Sequence, residues 1–337
     1  MLRQPPGSPE GGQFAPGSHA ESDVSLTPDG SGAETTHGPS MTQIQTEPRP
    51  SLLQDCSNDR DLPTGLVRPG RALRDHGSFS SLSDFEFCPT AWAYKRLDRV
   101  EQTVGERSLT GSGVHEFLDR VTKNGEAPEV ALEAVLAVPS AYASVADEVR
   151  SIGTAAVEWE ATNPNRASLR DTEVDLSGEI AGFRLTGVAD ALEVDPDGVV
   201  VISDYKTGKP PSPVTSHHFD DDIEPGSVIY QAKVTRQPVL YAEMAEQMGH
   251  HVGRARVLFL RTNTVVEVDL DDDRGQVLRA EARNFVEYIG GKVNEAIDSG
   301  FFPARGSINK CAGCDFASGC SAAQLPEATV EIGTKAA

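Results

Sequence analysis

The chain has 337 residues, and its 30 Lys+Arg against 51 Asp+Glu give a formal net charge of −21. That balance argues against indiscriminate binding to a polyanion, because phosphate contacts need local positive charge, yet it leaves room for a narrow basic groove on an acidic body. Hydrophobic residues make up 38 %, below the usual share of about 45–50 %, so part of the chain builds no core.

Residues 1–76 are rich in Pro, Gly, Ser, Thr and acidic residues and show neither the helical nor the strand period. They are expected to be disordered. The N-terminal stretch has no apolar signal-peptide segment, and Met41 is an alternative start. The longest aliphatic run, Val199-Val200-Val201-Ile202, falls far short of the roughly 20 residues of a membrane-spanning helix. A cytoplasmic protein without a membrane partner is expected. No G-x-x-x-x-G-K-[ST] stretch occurs, which argues against an autonomous motor ATPase.

Order is expected from about Ser80. Leu82, Phe85, Phe87, Trp92 and Tyr94 lie on a helical segment, and Val114, Phe117, Leu118 and Val121 form the apolar stripe of a helix over 109–121. Further helices are predicted at about 127–137 and 140–162. The period then changes to strands at 172–180, 182–194 and 199–206, with Pro196-Asp197-Gly198 as a turn. A polar loop covers 207–228. A helix follows over 237–248, beginning at Pro238, then strands at 255–262 and 264–270 and a helix at 273–298. The succession suggests one α/β core with helical additions.

If the hairpin turns about residue 197, Asp190 and Asp204 stand opposite each other, with Cβ atoms about 4.5–5.5 Å apart. Carboxylates that close need a proton or a cation between them, and Mg²⁺, which favours oxygen ligands, suits the pair. Lys206 lies two residues past Asp204 and so points to the same face. There an ammonium could orient water or offset charge on a phosphate. His115, early in its helix, could complete such a site and would suit Mn²⁺ better than Mg²⁺. Gln237 and Tyr241, four apart, share one face of the next helix. The bland alternatives are a surface hairpin, a core histidine and a polar helix edge.

These residues form an ordered set: Gly111-x-x-x-His115, Gly187-x-x-Asp190, Asp204-x-Lys206 and Gln237-x-x-x-Tyr241. Over about residues 80–321 the set resembles the RecB-like exonuclease branch of the PD-(D/E)XK nucleases. The resemblance implies a restriction-endonuclease-like α/β core, a mixed sheet flanked by helices, with N-terminal helical additions. It implies a divalent metal, Mg²⁺ or Mn²⁺, held by His115, Asp190, Asp204 and the main-chain carbonyl of Tyr205. Lys206 would be the catalytic lysine, and Gln237 and Tyr241 an accessory motif near the substrate. Pro238 departs from the family pattern, which usually has an aliphatic residue there.

Cys311-x-x-Cys314-x₅-Cys320 can wrap one metal centre. Cys88 is the fourth ligand preferred here over Cys56, which falls in the N-terminal tail. Spacing alone separates neither zinc from an iron–sulfur cluster. One cysteine before the core and three after it resemble the iron–sulfur-stapled members of the RecB-like branch, among them the nuclease subunit AddB and CRISPR-associated spacer-processing nucleases. That layout implies a structural [4Fe–4S] cluster.

The expected organisation is therefore a tail (1–76), a nuclease domain (77–325) and a disordered end (326–337). The domain would divide into a helical part (77–165), a catalytic core (170–298) and a cysteine tail (301–321). The expected activity is metal-dependent exonucleolytic hydrolysis of DNA, with single-stranded or duplex ends as partner. Lys95, Arg96, Arg99, Lys209, Lys233, Arg236 and Arg305 are candidate backbone-tracking cations, and Trp92 and Tyr94 candidate base-stacking rings. The alternatives are a non-catalytic nucleic-acid-binding subunit, or an enzyme that works only with a helicase or CRISPR integrase in trans.

Overall fold

The computed structural model describes residues 65–68, 77–137, 141–162, 169–211, 227–305, 311–320 and 323. Its centre is a five-stranded mixed sheet. The strands β2 (Leu169–Ile180), β3 (Phe183–Val194), β4 (Val200–Lys206), β5 (Arg254–Phe259) and β6 (Thr264–Asp269) lie side by side in chain order. Only β4 and β5 run parallel. Parallel neighbours need a crossover, and α6 (Val228–Gln247) supplies it.

Helices cover both faces. On one lie α6 and α7 (Asp273–Ser299), with α1 (Phe79–Phe87) and α2 (Pro89–Arg96); Trp92, Ile202, Leu240 and Phe285 are among its buried residues. The other carries α3 (Glu106–Lys123), α4 (Pro128–Leu136) and α5 (Ala146–Thr162), packed through Val114, Phe117, Val149 and Tyr205. β4 is thus covered twice, which is why it reads as an almost continuous apolar run before Asp204. α7 opens on Asp272, whose carboxylate accepts the Gly275 N–H at 2.6 Å, and closes on Gly300 in the left-handed region.

The β3–β4 turn sets the register on which the site depends. Asp195 Oδ1 accepts the backbone N–H groups of Asp197 and Val199 at 2.9 and 3.0 Å, and Gly198 takes φ +83°. Pairing from Val194↔Val200 to Ala191↔Ser203 is symmetric about residue 197, as expected.

Three features depart from the sequence reading. α6 begins at Val228, capped by Ser227, so Pro238 lies inside it rather than at its start. The proline removes one backbone donor and crowds the preceding turn. Thr235 Oγ1 donates to the Gln231 carbonyl at 2.8 Å, a back-bond of the kind that bends helices and makes room. Second, the aromatic segment 79–96 is two helices. Cys88 is extended at φ −162° and Pro89 starts α2, so the chain turns at the cysteine.

Third, β1 (Gly65–Val67) falls within the stretch expected to lie outside the fold. It pairs antiparallel with β7 (Phe301–Pro303), and Arg68 donates its N–H to the Gly300 carbonyl at 2.6 Å and ion-pairs with Asp98. Cys56, residues 212–226 of the polar loop and residues 324–337 lie outside the described residues.

Candidate active site

β3 and β4 part company at their site end. The ladder stops at Ala191↔Ser203; one step on, the Tyr205 N–H is taken by the Asp190 carboxylate, Oδ2, at 2.5 Å. Side-chain alternation breaks at the same rung. Ala191 packs with the α3 side and Ala189 with the α6 side, although residues two apart in a regular strand share a face. Asp190 and Asp204 are therefore not a simple opposed pair on one face of an intact ladder. Asp204 and Lys206 project toward α6, while Asp190 is reached by His115 from α3.

Lys206 Nζ donates to Asp204 Oδ1 at 2.9 Å and to Gln237 Oε1 at 3.1 Å. The Gln237 amide in turn reaches the Tyr241 hydroxyl at 3.3 Å. The Lys206 side chain is 42 % exposed and that of Asp204 4 %, so the ammonium sits at the mouth and the carboxylate at the floor. On the other side, His115 Nδ1 lies 3.4 Å from Asp190 Oδ1, and its Nε2 lies 3.1 Å from the Tyr205 carbonyl oxygen. His115, Asp190, Asp204, the Tyr205 carbonyl, Lys206, Gln237 and Tyr241 thus converge, from two helices and two strands.

One member was missed. Glu173 on β2 stands on the rung of Asp190, since the β2–β3 register runs unchanged on either side of it, Thr172↔Ala191 and Val174↔Ala189. Its ligand atom and those of His115 and Asp190 all lie within 4.8 Å of one another. The tight turn at Ala181-Gly182 was the available signal, because pairing counted back from it sets 173 against 190.

The electrostatics follow from crowding acidic groups in a partly dry place. Burial, reinforced by the Asp190 charge, pushes Asp204 up to about 6 against the pull of Lys206. Burial and Asp190 push Glu173 up to about 7. Asp190 itself is held below its ordinary value, because His115 and the Tyr205 N–H outweigh its burial. Burial opposes a charge on His115, but Asp190, then Glu173 and Asp204, raise it to about 9. Burial likewise opposes the Lys206 ammonium, and Asp204 raises it overall. Protons and the lysine now balance three carboxylates. Asp204 Oδ2, buried and close to Lys206, makes no aligned hydrogen bond. Carboxylate oxygens, an imidazole and a main-chain carbonyl are a donor set that suits Mg²⁺ or Mn²⁺.

Some candidate nucleic-acid contacts are spent on the fold. Trp92 is 1 % exposed and stacks on Phe302 with ring centroids 5.8 Å apart. Tyr94 stacks on Phe316 and donates to the Gly319 carbonyl. Arg236 is buried over the Phe285 ring and pairs with Glu86, and Lys95 and Arg96 pair with Asp84. Arg99, Lys209 and Lys233 are exposed.

Cys88, Cys311, Cys314 and Cys320 line one cavity and are all free. Burial pushes the Cys314 thiol up, and the other three sulfurs add to the shift. Cys88 thus lies beside the three C-terminal cysteines, while Cys56 falls outside the described residues.

The profile of the PD-(D/E)XK nuclease superfamily matches residues 76–321. Among solved structures, the chain is similar to a "Putative exonuclease" from Eubacterium rectale, with 15 % identity, 69 % of this chain and 85 % of that one covered, and a TM-score of 0.47. It is also similar to SSO0001, with 14 % identity, 73 % and 96 % covered, and a TM-score of 0.29. No curated protein matches.

Proposed function

Because this chain belongs to the PD-(D/E)XK nuclease superfamily, we propose that it is a metal-dependent deoxyribonuclease that removes nucleotides from DNA ends, preferring single strands, and carries a structural iron–sulfur cluster. The observation that carries the proposal is the meeting of His115, Asp190, Asp204 and Lys206 where β3 and β4 part. His115, Asp190, Asp204 and the Tyr205 carbonyl would hold the metal. A divalent cation bound there would polarise the scissile phosphate and acidify an attacking water.

The chain's own groups set the rest. Lys206 stays protonated and, half-exposed, can lie against a non-bridging phosphate oxygen or orient the water. Gln237 holds the ammonium from the α6 side, and Tyr241 holds Gln237. The preference for single strands rests on the site's depth. A phosphate must reach a floor where Asp204 is 4 % exposed, which a flexible single strand can do more readily than a stiff duplex.

The cluster assignment rests on the cysteine layout, one before the core and three after it, and on the four lining one cavity, where they could hold either four-thiolate centre. Four converging thiols without a disulfide also suit a reducing compartment, which supports a cytoplasmic location.

The test is to incubate anaerobically purified protein with end-labelled single- and double-stranded DNA in Mg²⁺, Mn²⁺ or EDTA. Mononucleotide release from single-stranded ends, abolished by EDTA, is expected. Cleavage that persists in EDTA would remove the metal from the proposal.

A further inference from the structure

We propose that Glu173 is an additional metal-ligating carboxylate of this site, giving one oxygen to the ion held by His115 and Asp190. The inference rests on the metal-dependent reading above and adds a residue outside the four-motif set.

Geometry carries it. A cation with bonds of about 2.1 Å needs its ligand atoms within roughly 4.2 Å of each other. The atoms offered by Glu173, His115 and Asp190 are mutually within 4.8 Å without an ion, and His115 Nδ1 and Asp190 Oδ1 are 3.4 Å apart, so side-chain adjustment alone can bring the three around one cation.

The backbone is shaped to bring Glu173 there. Its φ is +51°, a left-handed conformation rare for a side chain inside a strand. Thr172 turns to α3, where its hydroxyl meets Asp119 at 2.5 Å, while Val174 packs on the α6-side core. β2 therefore changes faces at Glu173, on the rung where β3 changes faces at Asp190. The paired breaks turn both carboxylates toward His115.

The neighbours leave this carboxylate for the site. Lys123 spends its ammonium on the Thr172 carbonyl at 3.1 Å, and Arg120 pairs with Glu116 and Glu126. Among the described residues no hydrogen bond or ion pair reaches the Glu173 carboxylate. A half-buried carboxylate set against a second carboxylate is costly unless a proton or a cation joins them.

The experiment uses the full chain, freed of divalent ions, titrated with Mn²⁺ in a calorimeter and melted with and without Mn²⁺. Glu173→Gln should lower Mn²⁺ affinity about tenfold or more and shrink the Mn²⁺-induced rise in Tm, with the metal-free Tm not reduced. Glu173→Asp, which keeps the charge but retracts it by one methylene, should bind with intermediate affinity and covers the case in which the glutamine variant does not fold. Mn²⁺ affinity within twofold of wild type in Glu173→Gln, or in Glu173→Asp where the glutamine variant does not fold, while Asp190→Asn loses it, overturns the role of Glu173 and leaves the metal-dependent reading standing. Wild-type protein that binds no Mn²⁺ overturns both.

Discussion

Lys206 and Asp204 divide one task between mouth and floor. The ammonium is half-exposed and anchored by Gln237, so its removal opens little cavity, while it deletes the cation proposed to face the scissile phosphate. Lys206→Ala should lower the cleavage rate by about 10²–10³-fold, with the circular dichroism spectrum kept. A loss below tenfold would deny the lysine its role. The pH dependence of the metal-free protein follows from the same charges. His115 at about 9, Asp204 at about 6 and Glu173 at about 7 all titrate above their ordinary values of 6.5, 3.8 and 4.5. Each such group contributes stability that is full below its unfolded value and lost as pH rises through its folded one. Asp190 has the opposite sign, but acts only below its ordinary 3.8. Without divalent ions, Tm should therefore fall between pH 5 and pH 9. Mg²⁺ should restore more of it at pH 8 than at pH 5, because a cation substitutes for the missing protons. Thermal melts across that range check this, and a Tm that rises with pH in EDTA would contradict the charge balance.

Two glycines in motifs of the same appearance do different work in their elements. A Cβ on Gly187 would lie 2.6 Å from the Tyr241 ring, whereas on Gly111 it would meet nothing nearer than Thr207 Oγ1 at 3.7 Å. Gly187→Ala should cost about 1–3 kcal/mol in urea unfolding and depress activity, because Tyr241 and with it Gln237 must move. Gly111→Ala, inside α3, should stabilise by about 0.5–1 kcal/mol. Equal effects of the two substitutions would deny that packing against Tyr241 is what Gly187 supplies. The same local physics explains what the sequence made legible. The strands around Pro196-Asp197-Gly198 could be placed, and the pairing of 191–194 with 200–203 with them, because a tight turn and two apolar strands admit one pairing, whereas the opposed 190–204 pair expected one rung on is not formed. Glu173 escaped because pairing was counted only about residue 197 and not about the Ala181-Gly182 turn, which sets 173 against 190. The first half of α6 escaped because Pro238 reads as a helix start, and only Thr235 and the packing of α6 show how a helix runs through it. β1 is three residues long, too short for any period, and exists because β7 offers it an edge.

At the scale of the molecule, both chain ends of the described fold meet on one side. β1 pairs with β7, Thr90 on α2 donates to the Phe302 carbonyl at 2.7 Å, and Trp92 stacks on Phe302. Beside this seam the Arg305 N–H points at Cys88 Sγ at 3.5 Å, and Tyr94 packs on Phe316 between Cys314 and Cys320. The catalytic core lies in the chain between the two halves of the seam, so a centre bound by Cys88 and the C-terminal cysteines closes a very long loop. In the loop-entropy account such a closure is worth on the order of 4–5 kcal/mol, against a net domain stability of about 5–15 kcal/mol. Truncation before Gly65 should leave Tm unchanged, whereas truncation to Arg74 removes β1 and the Arg68–Asp98 pair and should lower it. The cysteines should act more strongly. Cys88→Ala, Cys311→Ala, Cys314→Ala and Cys320→Ala should each bleach the brown colour of anaerobically prepared protein, reduce bound iron and lower Tm, while Cys56→Ala should do none of these. The proposed cluster is asked for no electron transfer, so a cysteine variant that stays folded at low temperature should still bind Mn²⁺ with wild-type affinity. Iron, sulfide and zinc analysis with melts of the five variants decides the matter. Zinc in stoichiometric amount would replace the cluster but keep the staple, whereas full colour and an unchanged Tm in Cys88→Ala would remove the link between the two ends.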